Sequence, residues 1–422
     1  MVKKKQQGLA LWLCAMCGVL SASPQAWAGD PGLTAEIAGL KERLAALESK
    51  LAQQEAVSAG AAPGNAILQL PSGLHGVNMS GFVDTSYGYN FNEPNTRTNT
   101  LRVFDTRAGD FMINNAELVL EKTVSAESPV GFRTDLDFGT DAEVVGSVTT
   151  GLGRGDDEFD LQQAYADYLA PIGNGLDVKL GKFVTMHGAE VIEAKDNWNF
   201  SRSYMFGISI PFTHTGIRAT YPWTEWLSTT VGVSNGWDVV DDNNKAKTVE
   251  LSTTVSPFEH FSLGGTYMFG AEQNGDSHDQ RHLFDLVATY QPIEKLTLKL
   301  NLDFAGEEDA VDEVGGGNAS WNGVAVYAKY DVTPKWSLAT RWEVFNDQDG
   351  VRTAANTGGL TGSGIEDLRL FEWTLTSECK IHEHLIARLE YRLDKADNEV
   401  FRHHQGFADY QNTVALEFIA PF

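Results

Sequence analysis

Residues 296–304 read LTLKLNLDF, so every second residue is apolar and the residues between them are polar or charged. Residues 385–394, LIARLEYRLD, repeat the pattern. Side chains of a β-strand point alternately to its two faces, so both stretches predict strands with one apolar and one charged face. Such strands, about ten residues long, are typical of transmembrane β-barrels. A soluble β-sandwich is the alternative, although its strands usually have about five or six residues.

The connections between the predicted strands favour the barrel. From residue 76 onward, seven short turns alternate with eight long polar segments, and six of the seven turns contain proline. The long segments, predicted to be loops, are 92–100, 140–160, 185–211, 237–247, 270–281, 306–320, 346–368 and 394–408. Outer-membrane barrels have short periplasmic turns and long external loops, and they close because lipid offers no partners to unpaired backbone groups. Residues 76–422 are therefore predicted to form an all-β fold, a transmembrane antiparallel β-barrel of about 16 strands with both ends on the periplasmic side.

Aromatic residues cluster near the ends of the predicted strands, where barrels carry girdles at the two membrane interfaces. The final residue, Phe422, closes an alternating strand and resembles the C-terminal signal that the bacterial outer-membrane insertion machinery reads. The predicted girdle residues are Tyr221, Trp223, Trp226, Tyr290, Tyr330, Trp336, Trp237 and Trp321.

The N-terminal residues predict export. Three lysines at 3–5 precede the apolar stretch 8–20, and residues 26–28, AWA, fit a cleavage site with small residues at its first and third positions. Residues 1–28 are therefore predicted to be a signal peptide, with a membrane anchor as the alternative. Residues 56–75 are rich in alanine, glycine and proline and are predicted to be a linker.

Residues 29–55 carry apolar side chains at alternating spacings of four and three, which predicts a coiled-coil helix. Because a helix of this length is marginal alone in water, we expect its seam to pack against copies of itself; packing on the chain's own domain is the alternative. Because an even number of strands puts both ends of the barrel on the periplasmic side, the helix that precedes the barrel is predicted to lie in the periplasm. The seam residues predicted to mediate oligomerisation are Leu33, Ile37, Leu40, Leu44, Leu47 and Leu51.

Composition excludes several classes of function. The chain has 57 acidic and 32 basic residues and a net charge of −25, so no nucleic-acid partner is expected, because phosphate binding needs a basic surface. Two of the three cysteines lie in the predicted signal peptide, which excludes a disulfide framework and a cysteine-rich zinc site. No spacing marks a catalytic group, so neither an enzyme nor a cofactor or metal site is predicted.

Three motifs follow one another after residue 187: GAEVIE at 188–193, NWNFSRS at 197–203 and IPFTHTGIR at 210–218. Together with SGFVD at 80–84 and LGKF at 180–183, they resemble the OmpL-like β-barrel porin family over roughly residues 77–422. The resemblance implies a passive pore for small hydrophilic solutes and ions in the outer membrane of a Gram-negative bacterium, and by analogy a homotrimer. The N-terminal coiled coil is similar to those of some phosphate-selective O/P-type porins.

A barrel of about 16 strands encloses an aqueous lumen, whose selectivity depends on the side chains at its narrowest part. The 27-residue segment Thr185–Pro211 is the longest internal loop, and we predict that it folds inward as a constriction; an ordinary external loop is the alternative. The loop residues predicted to line this constriction are His187, Glu190, Glu193, Lys195, Asp196 and Arg202.

Charged residues on the inward faces of the strands are predicted to stand opposite this loop, so that facing rows of basic and acidic groups create a transverse field. They are Arg133, Asp135, Asp137, Arg341, Arg388, Glu390 and Arg392. Two alternatives to a passive pore follow: a channel selective for an anion or oligosaccharide, and a structural tether that acts through the coiled coil. The expected surroundings are outer-membrane lipid and lipopolysaccharide. Carboxylate runs such as residues 307–309 are candidates for bridging divalent ions to it, although solvated loop tips are commoner.

Overall fold

The computed structural model describes residues 76–147, 158–311, 317–354 and 367–422. The predicted signal peptide, coiled-coil seam and linker lie outside the described residues. Within those four ranges, none of the helices has both the length and the apolar character needed to cross a membrane.

Sixteen antiparallel strands close into one barrel, which confirms the predicted fold. A separate two-stranded hairpin, β16 (Phe401–His403) and β17 (Gly406–Ala408), lies between the last two barrel strands. The barrel strands are β1 (Asn78–Asn90), β2 (Phe111–Lys122), β3 (Val130–Phe138), β4 (Phe159–Ala170), β5 (Leu176–Val184), β6 (Thr213–Thr224), β7 (Leu227–Ser234), β8 (Thr248–Phe258), β9 (Phe261–Ala271), β10 (Gln280–Ile293), β11 (Leu296–Val311), β12 (Gly317–Asp331), β13 (Trp336–Asp347), β14 (Leu368–His382), β15 (Leu385–Ala396) and β18 (Tyr410–Pro421).

The barrel closes where β1 pairs with β18. Gly81 and Phe422 exchange backbone hydrogen bonds of 3.1 and 3.0 Å, so the last residue of the chain is part of this seam. A Cβ atom on Gly81 would lie 2.1 Å from the carbonyl oxygen of Glu117 on β2, so only glycine fits at this position. The role of Phe422 as an insertion signal stays a prediction.

The alternation of short and long connections agrees with the prediction, but some strand ends do not. The first long connection, predicted at 92–100, extends to residue 110, because β2 begins only at Phe111. The predicted loop over 306–320 is largely strand, because Gly306 pairs with Ser320 and Glu307 with Ala319 across the β11–β12 hairpin. Glu307, which we expected at an exposed loop tip, is instead buried and forms an ion pair with Arg281 at 2.8 Å.

The two faces of the barrel wall have opposite character. On β11, Asp303 is fully buried in the interior, while its neighbour Phe304 is 55% exposed on the outside. Apolar side chains outward and charged side chains inward are the reverse of a soluble protein, and lipid requires this arrangement because it solvates hydrocarbon and excludes charge.

The predicted aromatic girdle is partly wrong. Trp223 and Trp226 are about half exposed near the short turns, as a girdle requires. Trp237 and Trp321 are instead buried inside the barrel and contact each other edge to face, with ring centroids 6.5 Å apart. Trp321 lies on the inward face of β12, and Trp237 belongs to the connection between β7 and β8, which folds inward.

The barrel interior contains an apolar cluster near the external ends of the strands. Its centre is the long connection between β5 and β6, residues 185–212, which we call L3. L3 contains a short 3₁₀ helix, Ala194–Asp196, and a π-helical turn, Met205–Ser209. A short helix between β3 and β4, α1 (Thr140–Val145), packs beside it. The buried members of the cluster include Leu101, Phe104, Val145, Ile192, Met205, Phe206, Ile210, Phe212, Met268, Leu283, Phe345 and Leu370.

Candidate functional site

L3 lies inside the barrel and is held there by carboxylates of the wall. Glu390 on β15 accepts hydrogen bonds from the backbone N–H groups of Phe200 and Ser201, at 2.7 and 3.0 Å. Glu343 on β13 accepts two more from the backbone of residues 204–205, at 2.8 and 2.6 Å. These four hydrogen bonds satisfy buried backbone N–H groups, which are costly to leave without a partner, and they fix the centre of L3 against β13 and β15.

Arginines of the wall bind the carbonyl groups of L3. Arg388 donates to the carbonyl oxygens of Ala194 and Asn197, at 2.9 and 2.7 Å. Arg392, four residues further along β15 on the same face, donates to the carbonyl oxygen of Arg202 at 2.5 Å. The strand therefore satisfies backbone groups of L3 that would otherwise be buried without partners, which is costly in a protein interior.

Arg341 on β13 joins L3 to two strands at once. It forms ion pairs with Glu190 of L3 at 2.5 Å and with Glu372 of β14 at 2.6 Å, and it donates to the carbonyl oxygen of Ser201 at 2.7 Å. Burial opposes ionisation of Glu190, but Arg341 and two hydrogen bonds from Ser203 outweigh it and hold the pKa of Glu190 below its usual value. Glu190 is therefore an ionised anchor.

The arginines on β15 are neutralised by carboxylates beside them. Arg388 forms ion pairs with Glu378 at 2.8 Å and with Glu417 at 3.2 Å, and Arg392 forms one with Asp394 at 2.8 Å. The interior does not present the free row of basic groups that the sequence suggested, because every predicted arginine on β13 and β15 is paired. We call Arg341, Arg388 and Arg392 the arginine wall.

The remaining predicted residues of L3 have varied surroundings. Glu193 accepts a hydrogen bond from Gln162 of β4 at 2.9 Å. Lys195 and Asp196 form an ion pair with each other, and both side chains are partly exposed. Lys195 also lies over the ring of Phe82, 5.8 Å from its centroid. This end of L3 therefore faces β1 and β4 and carries groups that solvent reaches.

Arg202 is buried in L3 and contacts α1. Its guanidinium group lies 3.8 Å from a carboxylate oxygen of Asp141 and 4.7 Å from the ring centroid of Phe104. Burial raises the pKa of Asp141 to about 7, although Arg202 acts in the opposite direction. Arg202 therefore supports the fold of L3 from inside the apolar cluster and does not face an open lumen.

Three carboxylates on neighbouring strands form a second group, the acidic patch: Asp84 on β1, Glu117 on β2 and Asp137 on β3. Glu117 and Asp137 stand directly opposite each other in the strand register. Asn114 donates to Asp84 at 3.1 Å and Asn115 to Asp137 at 3.2 Å. The second oxygen of each aspartate and both oxygens of Glu117 have no hydrogen-bond partner, and none of the three forms an ion pair with a basic group of the described ranges.

The sequence identified Asp137 but missed Asp84 and Glu117. Both lie at inward positions of their strands, so the alternation alone could have found them. Of the other residues predicted on β3, Arg133 forms an ion pair with Asp135 at 2.9 Å, and the two therefore largely cancel. The patch therefore differs from its neighbours on β3 in having no ion-pair partner among the described residues.

The acidic patch and the arginine wall do not face each other across the barrel. Because β1 pairs with β18 and β18 with β15, the acidic patch on β1–β3 begins only two strands away from β15. The two groups are neighbours around the barrel. L3, in contrast, extends between nearly opposite walls: Glu193 contacts β4, and the backbone of Ala189 donates to Asn301 of β11 at 3.1 Å. The predicted pore-lining role of these residues stays a prediction.

Comparison with known proteins identifies this architecture. The sequence profile of the β-barrel porin-2 family, OmpL-like, matches residues 76–422. The chain belongs to this porin family. It is thus an outer-membrane channel protein, and both family and fold are those of a channel rather than of an enzyme. A search of curated protein sequences finds no match.

Solved structures of outer-membrane porins share the fold at low sequence identity. The anion-selective porin from Comamonas acidovorans has a TM-score of 0.56 and 13% identity, covering 82% of this porin and 99% of the other chain. Pseudomonas putida OprB has a TM-score of 0.56 and 14% identity, covering 82% and 94%. A trimer form of OmpT, an outer-membrane protein of Vibrio cholerae, has a TM-score of 0.54 and 11% identity, covering 82% and 99%.

Proposed function

We propose that this porin forms a narrow, cation-preferring pore for small hydrophilic solutes and ions, with L3 as its constriction. The observation that carries the proposal is the acidic patch. Its carboxylates retain free oxygens, whereas each guanidinium of the arginine wall is already paired. A passing ion experiences the charge that is not cancelled locally, so net attraction is directed at cations.

The contacts of L3 support its role as the constriction. L3 is bound to β4, β11, β13 and β15. Gly323 on β12 leaves room for Met205 of L3, since a Cβ atom there would lie 2.6 Å from the Met205 Cγ atom. A loop fixed around so much of the wall reduces the free cross-section, so we expect a smaller conductance than an unobstructed barrel of 16 strands would give.

The free oxygens of the patch suggest how ions pass it. Asp84 is 1% exposed, Glu117 3% and Asp137 0%. Buried carboxylates without partners are costly unless a cation or water satisfies them. We propose that hydrated cations pass along this wall and supply those partners in turn, and that Glu193 and Lys195 of L3, which interact electrostatically with Glu117, form the other side of the path.

Single-channel recording of the purified mature protein in asymmetric KCl tests this proposal. We expect discrete conductance steps with a reversal potential that indicates K⁺ over Cl⁻. The triple variant Asp84→Asn, Glu117→Gln, Asp137→Asn should shift the reversal potential towards zero. The matched control is Glu259→Gln, Glu294→Gln, Glu383→Gln, which removes three carboxylates from exposed short turns and should leave it unchanged. Chloride preference in the native protein would contradict the proposal.

A silent bilayer, with a folded barrel shown by heat-modifiable gel migration, would also contradict it and favour the structural tether. Deletion of Leu33–Leu51 would then abolish an envelope phenotype, whereas a pore would keep its conductance. An anion- or oligosaccharide-selective channel would instead show saturable block of current by its solute, lost in Arg388→Ala or Arg392→Ala. The anion-selective porin from C. acidovorans has the same fold, but here both arginines are paired.

We further propose that the protein is a homotrimer in the outer membrane of a Gram-negative bacterium, with the predicted coiled coil in the periplasm. Both ends of the barrel domain lie on the side of the short turns, which supports the periplasmic placement. The trimer form of OmpT supports the stoichiometry, because it shares the barrel fold. Crosslinking of the purified protein, with and without residues 29–55, would measure the number of chains in the oligomer and the contribution of the coiled coil to it.

A further inference from the structure

We propose that His187, His214 and Glu250 form a binding site for a divalent transition-metal ion such as Zn²⁺, between L3 and the barrel wall. His187 belongs to L3, His214 to β6 and Glu250 to β8. All three side chains are buried, and one potential ligand atom from each lies within 4.8 Å of the other two. Two imidazoles and one carboxylate are a ligand set that zinc and similar ions use in proteins.

The state of His214 suits a metal ligand. Its Nδ1 atom lies 3.1 Å from the carbonyl oxygen of Gly236, so Nδ1 carries the proton and donates, and Nε2 keeps its lone pair. A backbone carbonyl that binds the second nitrogen of a histidine is a common support for metal-bound imidazole, because it fixes the tautomer and the ring orientation.

Glu250 and His187 each have a buried polar atom without a hydrogen-bond partner at the proposed site. Arg218 binds one carboxylate oxygen of Glu250, at 2.8 and 3.0 Å, while the other oxygen has no hydrogen-bond partner. This free oxygen lies 3.9 Å from Nδ1 of His187, and Nε2 of His187 has no partner either. Buried polar atoms without partners are rare in folded proteins and call for an unseen ion or water.

The remaining groups around the site are compatible with a cation. The Thr185 hydroxyl oxygen lies 3.1 Å from Nδ1 of His187 and 3.4 Å from Nε2 of His214, where it could bind a water molecule on the ion. Arg218 offsets the charge of Glu250, but Asp238 adds a second carboxylate that interacts electrostatically with His214. With neutral imidazoles, the carboxylate of Glu250 is thus the one anionic group among the three proposed ligands.

The geometry requires a small adjustment. Zinc binds these ligands at about 2.0–2.2 Å, so neighbouring ligand atoms on a tetrahedral ion are roughly 3.4 Å apart. His187 lies on a loop whose ring can approach the two strands. The ion would fix the beginning of L3 to β6 and β8, on the side of the barrel that faces β14, far from the arginine wall.

Titration of the mature protein in detergent with Zn²⁺, after removal of metal with a chelator, tests the proposal. The protein should carry no polyhistidine tag. We expect one saturable Zn²⁺ per chain, and Co²⁺ in its place should give visible absorption typical of nitrogen and oxygen ligands. His187→Ala and Glu250→Gln should each weaken binding by at least the roughly 10- to 100-fold that is lost when a group hydrogen-bonded to a metal ligand is removed.

The matched control is His384→Ala with His404→Ala. Each of these belongs to a pair of adjacent histidines outside the barrel interior, with ring centroids 5.6 and 4.6 Å apart, that could bind zinc adventitiously. The control should keep the saturable site. Absence of saturable binding, or binding that survives in His187→Ala with a heat-modifiable barrel, would overturn the proposal. Neither readout depends on conductance, so it is independent of the proposed pore.

Discussion

The arginine wall and the acidic patch are both built from inward-facing charged side chains, yet they have opposite chemical states. In the arginine wall each cation has at least one carboxylate partner, and Arg341 and Arg388 have two each. In the acidic patch Asp84 and Asp137 each have one amide partner, and Glu117 has no hydrogen-bond partner. The charge of a residue therefore says little about the field in a pore until its neighbours are known, because a paired charge is cancelled within a few ångströms.

The two regions also differ in what their side chains bind. The arginine wall donates hydrogen bonds to the backbone of L3, at the carbonyl oxygens of Ala194, Asn197 and Arg202. The acidic patch makes no hydrogen bond to the backbone of L3, and its carboxylates are the groups that we propose attract mobile cations. We therefore expect substitutions in the wall to change the position of L3 and the size of the pore, and substitutions in the patch to change ion preference.

The largest expected effect comes from breaking the arginine wall. Arg341→Ala leaves Glu190 and Glu372 buried without their cation, and loss of one partner of a buried ion pair costs about 3–5 kcal/mol. L3 should detach from β13, and single-channel conductance should rise severalfold with larger current noise. Arg97→Ala, which breaks an exposed ion pair with Asp110, is the control and should change neither. An unchanged conductance in Arg341→Ala would show that L3 is held elsewhere.

The next effect compares one carboxylate from each region. Glu390→Gln removes a charged acceptor of two L3 backbone hydrogen bonds and should lower the free energy of unfolding by about 1.5–3 kcal/mol. Glu117→Gln replaces a buried carboxyl group whose oxygens have no hydrogen-bond partner, so it should not lower the free energy of unfolding. Urea unfolding of both variants in the same detergent measures the difference. If both variants are destabilised, then Glu117 of the acidic patch supports the fold as Glu390 does, and the proposed difference between the two regions is wrong.

A substitution on β12 tests whether the apolar contacts of L3 matter beside the arginine wall. Gly323→Val would place a side chain against Met205, and overpacking typically costs about 1–3 kcal/mol. We expect L3 to shift and conductance to change by less than in Arg341→Ala. Gly264→Val is the matched control, because a Cβ atom there meets only a carbonyl oxygen at 4.0 Å. Equal effects of the two valine variants would exclude a specific contact with L3.

The smallest effect concerns pH. Because the pKa of Glu190 is held below its usual value of 4.5, its contribution to stability is complete above that pH and is lost as the pH falls through the lowered pKa. Conductance should therefore stay constant from pH 7 to about 5 and rise only in stronger acid, as L3 loosens. Glu190→Gln should abolish this acid-dependent difference. A rise that begins near pH 6 would point to a different titrating group.

Much of the fold could be predicted because lipid imposes a regular pattern. Residues 296–304 and 385–394 reveal strands by alternation alone, and the turns that separate the strands are marked by proline. The strand ends near Gly306 were misplaced, because a polar residue can continue a hairpin above the membrane as well as form a loop. Trp321 was misplaced because an aromatic side chain near a strand end can face lipid or the interior, and only its register decides which.

The candidate site was predicted in part for the same reason. Alternation identified Arg341, Arg388 and Arg392 as inward residues, but no spacing links them to their partners, which lie on neighbouring strands and on L3. Glu250 was missed altogether, because it lies 36 residues beyond His214 in the chain and approaches it only through the register of β6, β7 and β8.

The barrel, its approximate number of strands, the inward or outward direction of most charged side chains and the family can all be predicted from the amino-acid sequence alone. Each of these follows from local patterns, since a period of two and the length of a connection are properties of short segments. Three further features are seen only in the folded structure: which charges are paired, how L3 is bound inside the barrel, and that His187, His214 and Glu250 lie together. These depend on distances of a few ångströms between residues far apart in the chain, which closure and strand register set and no local pattern contains.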